Sequence, residues 1–126
     1  ASMSWRLARG LLLARQAGTI SGDGLLRAED HLTDLLLAGN PQLTFLLAAR
    51  RLAPLDDLTP RARQRLRETA LAYVRHHGNA VAMAAELEVH PQTARYRITR
   101  LRELFGTDLN NPDARFELEL ALRARV

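Results

Sequence analysis

Residues 78–105 read GNAVAMAAELEVHPQTARYRITRLRELF. Asn79 is a capping residue ahead of a short apolar run, AVAMAAEL, which stops at Glu88-Val89-His90. Pro91 then opens a longer segment studded with arginine that continues to Phe105. Proline at a first helical position loses nothing, because its missing N–H would be unpaired there. Two helices joined by so short a break outline a helix-turn-helix, in which the second helix lies in the major groove of DNA. The pattern also meets the packing needs of such a motif. Ala84 is the small residue required where two helices cross, and Leu87 and Val89 bracket the turn. On a wheel at about 100° per residue, Ala94, Ile98 and Leu101 face inward, with Phe105 below them. Gln92, Arg95, Tyr96 and Thr99 then face outward, flanked by Thr93, Arg97 and Arg100. Long donors and hydroxyls are the chemistry that phosphates and base edges require.

Two features depart from the usual pattern. Glu88 stands where many helix-turn-helix sequences carry glycine, and a left-handed backbone there costs an L residue about 1–2 kcal/mol. A wider turn is the alternative. Ala94 is also small for an inward position.

The same punctuation divides the rest of the chain. Asn40-Pro41, Thr59-Pro60 and Asn111-Pro112 repeat the cap-then-proline signature of His90-Pro91, which marks four helix starts. Gly18, Gly39, Gly78 and Gly106 supply stops. The expected helices cover residues 4–17, 29–38, 41–51, 60–77, 80–87 and 91–105, with a glycine-bearing loop at 19–30. In the 60–77 segment, Ala62, Leu66, Ala70, Tyr73, Val74 and His77 form the buried stripe, while Arg61, Arg65 and Arg67 project elsewhere. Those three arginines read as a solvated face in preference to a second DNA contact.

The last segment is ambiguous. Phe116, Leu118, Leu120 and Leu122 alternate with other residues at a strand-like period of two. Yet Ala, Leu, Glu and Arg are helix formers, and Asn111-Pro112 is a helix start. The reading is helix. Phe116 and Leu120 then fall on one side and Leu118 and Leu122 roughly opposite, so the helix must be covered on two sides. The helix-turn-helix can cover one; the N-terminal half or a second chain must cover the other.

Composition narrows the function. The chain has 126 residues, 47% hydrophobic and 5% aromatic, enough for one aliphatic core. It has no cysteine, which excludes disulfide scaffolds, cysteine-ligated zinc and thiol nucleophiles. No apolar run is long enough to span a bilayer, so no membrane partner is implied, and a cytoplasmic protein is the default. The opening Ala1-Ser2 reads as a cloning remnant. Of the net charge of +4, none lies before residue 59, where six arginines meet six acids; beyond it twelve arginines meet eight. That asymmetry suits a polyanion-binding half joined to a neutral one.

No catalytic set emerges. His76 and His77 are adjacent and cannot share a helix face, so they form no metal pair. His90 reads as a cap; Gly18, Gly22 and Gly24 match no phosphate-cradling spacing. Asp56-Asp57 have no histidine or serine constellation beside them. Neither cofactor nor metal is implied. Four DNA-face residues have a second reading: Tyr96 can pack its ring on the neighbouring helix, Arg97 can bond within the domain, and Arg95 and Arg100 can be solvated or pair with Glu103.

Residues 78–122 resemble the C-terminal helix-turn-helix of PucR/CdaR-type bacterial transcriptional regulators. The likeness is carried by Gly78-Asn79, Ala84, Leu87, Val89-His90, Thr93, Arg95-Tyr96-Arg97, Leu104, Gly106, Leu109, Pro112 and Arg115. It extends upstream through LAPLDD and LRETALAYVRHHGN to about residue 53. The first fifty residues resemble, more faintly, the tail of that family's GGDEF-like middle region. The resemblance implies an effector-responsive regulator that binds promoter DNA as a homo-oligomer, with the sensor domain absent from this C-terminal fragment. It carries over Thr93, Arg95, Tyr96 and Arg97. Pro91-Gln92 replace the family's commoner Arg-Asn, so a guanidinium is lost at the helix start. Gln92 offers instead a side chain able to pair bidentately with adenine.

The expectation is therefore an all-α fold: a trihelical helix-turn-helix core, a C-terminal supporting helix and a small N-terminal helical segment. Residues 1–52 form the tail of a preceding region and 53–126 the DNA-binding domain. The expected function is sequence-specific binding of double-stranded promoter DNA through helix 91–105, as a homodimer, with no enzymatic activity. Gln92, Thr93, Arg95, Tyr96, Arg97, Thr99 and Arg100 make the contacts, and any small-molecule effector binds a domain not present here. The alternative is an oligomerisation module built on the apolar helix 112–126, tested by Leu118→Asp and Leu122→Asp.

Overall fold

The computed structural model describes residues 31–124, so the expected helix at 4–17 and the loop at 19–30 fall outside it. Six α-helices occur among the described residues: α1 Leu32–Gly39, α2 Pro41–Arg51, α3 Pro60–His76, α4 Ala80–Leu87, α5 Pro91–Phe105 and α6 Pro112–Arg123. Short 3₁₀ turns, Ala53–Leu55 and Gly106–Leu109, join α2 to α3 and α5 to α6. The fold is all-α, and α6 is a helix despite its period-two pattern.

Local chemistry sets the helix starts. The side chains of Asn40, Thr59, Asn79 and Asn111 accept hydrogen bonds from the backbone N–H groups of Leu43, Ala62, Ala82 and Ala114 at 3.0–3.2 Å. His90 does the same through Nδ1, accepting from Gln92 N–H at 3.0 Å. Prolines 41, 60, 91 and 112 occupy the first turns of their helices. Each cap satisfies a donor that the helix itself cannot.

The stops use left-handed residues. After α3, His77 (φ 52°) and Gly78 (φ 77°) turn the chain, and Gly78 N–H donates to the Tyr73 carbonyl at 3.0 Å. His77 is thus an exposed end-cap and not the last member of the buried stripe, because the helix has already turned away before it. Gly78 is needed twice over, since a Cβ there would also meet the Tyr73 ring at 3.1 Å. Gly106 ends α5 at φ 58°, ψ −132°, a region essentially reserved for glycine.

One apolar cluster binds the helices together. Leu66, Ala70, Tyr73 and Val74 of α3 meet Met83 of α4, Ile98, Leu101 and Phe105 of α5, and Leu118, Ala121 and Leu122 of α6. Ala48 of α2 and the following Leu52 and Leu55 belong to the same cluster. α6 therefore packs against α2 and α3, and its buried residues lie on a single face. That face is the one carrying Leu118 (1% exposed) and Leu122; Phe116 on the other side is 63% exposed. The expectation that both sides need covering is corrected to this extent: two neighbours share one side. A polar clamp reinforces the packing, because Arg51 (side chain 15% exposed) reaches Glu117 at 3.0 Å and Asp108 at 3.6 Å.

Candidate nucleic-acid interface

The angle between α4 and α5 is fixed by the turn at Glu88. Glu88 is left-handed (φ 57°, ψ 45°), and Val89 N–H donates to the Ala84 carbonyl at 3.0 Å. This repeats the hydrogen bond that ends α3, so the wider turn considered above is not formed. Beneath it, Met83, Ala84 and Ala94 are buried, which lets the helix backbones approach closely where they cross. The smallness of Ala94 is thereby explained. Ile98, Leu101 and Phe105 continue its buried stripe and seat α5 on α3 and α4.

The opposite side of α5 is open. Gln92, Thr93, Arg95, Tyr96 and Thr99 are exposed, and Arg97 and Arg100 are half-buried at its edge. The surface is partly ordered by its own bonds. Arg95 Nη1 donates to Gln92 Oε1 at 3.2 Å, joining the two side chains that carry the fork and the amide. Thr99 Oγ1 donates back to the Arg95 carbonyl at 3.1 Å, which leaves its oxygen lone pairs outward. Arg100 holds Glu103 at 3.2 Å, an exposed pair of small energetic weight that a stronger anion can displace.

Tyr96 is 74% exposed. Arg97 bonds to no other side chain among the described residues and lines a cleft between α3 and α5. Arg65 of α3 lines that same cleft, with Thr93, Tyr96 and Arg100. Arg65 is exposed, as expected of a solvated face, and its place beside Leu66 on α3 puts it at the margin of the buried stripe. Arg61 is exposed, and Arg67 lines a different groove beside Phe45, Ala48 and Arg63. Arg61, Arg65 and Arg67 therefore do not share one surface.

No group of three His, Asp or Glu among the described residues could hold a metal ion. No helix there is long and apolar enough to cross a membrane.

Comparison with known proteins agrees with this geometry. Residues 66–124 match the model of the PucR C-terminal helix-turn-helix domain. An uncharacterised protein in the pkwA 5′ region of Thermomonospora curvata is 41% identical over 67 residues, 53% of this chain and 36% of that protein. The carbohydrate diacid regulator of Escherichia coli is 41% identical over 58 residues, 46% of this chain and 15% of the regulator. An uncharacterised protein of Mycobacterium tuberculosis H37Rv is 33% identical over 94 residues, 75% of this chain and 22% of that protein. The matched segments thus span about a third or less of these relatives. No solved structure matches the chain. Residues 66–124, with their buried α4–α5 crossing and open arginine face, are thus similar to the PucR C-terminal helix-turn-helix domain.

Proposed function

We propose that this chain binds promoter DNA sequence-specifically, with α5 in the major groove. The observation that carries this reading is the asymmetry of α5: Ala94, Ile98 and Leu101 are buried behind it, while Gln92, Thr93, Arg95, Tyr96 and Thr99 lie exposed together on the other side. Gln92 and Arg95, near the helix N-terminus, read base edges, as residues of a recognition helix do. Thr93, Arg97 and Arg100 hold the backbone. In this reading residues 53–126 are the DNA-binding unit and residues 1–52 close the region ahead of it, with Ala48, Arg51 and Leu52 fastening the two. Two copies place their recognition helices on symmetric half-sites about 34 Å apart. Any effector acts through a region beyond these residues.

The experiment is selection of genomic fragments by the purified chain at stated salt. A consensus with dyad symmetry supports the reading. No enrichment, or binding indifferent to salt and unchanged in an Arg95→Ala/Arg100→Ala double variant, refutes it, since phosphate neutralisation makes affinity fall with salt.

The oligomerisation reading of helix 112–126 loses its main surface. Leu118 and Leu122 are spent on the chain's own core, and Phe116 is the large apolar side chain that α6 still exposes.

A further inference from the structure

The cleft between α3 and α5 has a volume of about 300 Å³ and is lined by Ala62, Arg65, Leu66, Thr93, Tyr96, Arg97 and Arg100. That is about ten times the ~30 Å³ share of a liquid water, ample for a phosphodiester group. Its chemistry is one-sided. Three guanidinium groups border it, and none of its lining residues is acidic. Among the described residues, Arg65 and Arg97 have no carboxylate within ion-pair distance; only Arg100 has one, the exposed Glu103. Like charges gathered beside the apolar surface of Ala62 and Leu66 repel one another unless an anion enters between them. Arginine's planar fork suits a phosphate, which offers several acceptor oxygens to more than one donor at once.

We propose that this cleft seats a single backbone phosphate of the bound DNA, gripped from two helices at once, with Arg65 of α3 opposing Arg97 and Arg100 of α5. The inference rests on the reading of α5 as the groove-binding helix. A phosphate flanking the groove lies beside such a helix, and contacts to it set the helix's register without reading sequence. Arg65 is then the residue that ties α3 to the DNA. Its contribution is to affinity and register, not to base preference.

The test uses a duplex recovered by the genomic selection, synthesised with a neutral methylphosphonate at one linkage at a time. One linkage should weaken the wild-type chain about tenfold, the loss expected of a charge-assisted hydrogen bond. Arg65→Ala and Arg97→Ala should each lose a similar factor on the natural duplex, and neither should lose more on that one neutral linkage. Arg65→Lys, which keeps charge but not the fork, should fall between. Arg65→Ala should select the same consensus as wild type, and its thermal unfolding should match wild type because the side chain is exposed. Undiminished affinity of Arg65→Ala overturns the proposal. So does a loss that persists on every methylphosphonate duplex, or a change in oligomeric state with DNA affinity intact, which would assign the cleft to a protein carboxylate. Failure to select any duplex instead overturns the DNA reading itself.

Discussion

Replacing Glu88 by glycine should make the protein more stable. Glu88 holds φ 57°, ψ 45° at the turn between α4 and α5, and its side chain is exposed with no ion pair among the described residues. Its removal therefore costs little contact energy. An L residue in this region is disfavoured by about 1–2 kcal/mol, a strain that glycine does not bear. Against this, glycine frees the unfolded chain, which costs about 0.5–1 kcal/mol. With the middle of each range, the net is a stabilisation of about 0.5–1 kcal/mol. For a domain of this size that corresponds to a rise of about 2–8 °C in Tm. The assay is thermal and urea unfolding followed by circular dichroism, with Glu88→Ala as the control. Alanine removes the same side chain but keeps the strain, so it should melt close to wild type. The bond from Val89 N–H to the Ala84 carbonyl survives in both, so affinity for a selected duplex should stay within about twofold. Should Glu88→Gly melt at or below wild type, or Glu88→Ala melt as high as the glycine variant, strain at this turn is not what the left-handed geometry implies.

The other expectations concern different parts of the molecule. Leu118→Asp should abolish folding, since it buries a carboxylate without a partner at a site 1% exposed, whereas Phe116→Asp at 63% exposure should leave the melting curve nearly unchanged; equal effects would contradict the burial of α6. Gly106→Ala should destabilise by about 1–3 kcal/mol through backbone strain alone, because a Cβ there meets nothing within 4 Å, and denaturant unfolding measures it. Arg95→Ala should cost about 1–3 kcal/mol on a selected duplex and relax its consensus at one position; a uniform loss across all sequences would make Arg95 a phosphate contact instead.

How much of this was legible in advance differs from element to element. The starts of α2, α3, α5 and α6 follow from a capping side chain and the proline after it, a local signal complete within three or four residues. The division of α5 into a buried stripe and an open face also follows from spacing, because only one of its sides is apolar. For α6 the same reasoning was degenerate: Phe116 and Leu118 both sit on plausible apolar sides, and periodicity within one helix does not say which side its neighbours approach. His77 was read as a continuation of the α3 stripe because a helix's last turn is decided by which residue takes the left-handed conformation, and spacing is blind to it.

Sequence alone determined that this chain is a string of capped helices, with a positively charged helix whose outward face carries Gln92, Arg95, Tyr96 and Thr99. Those are properties of neighbours along the chain, set by hydrogen-bond geometry and a fixed helical repeat. Tertiary structure decided that Leu118 and not Phe116 enters the core, and that Arg65, some thirty residues ahead of Arg97, shares a cleft with it. Those depend on how helices cross, and crossing is set by contacts between side chains far apart in the chain, which no local repeat encodes.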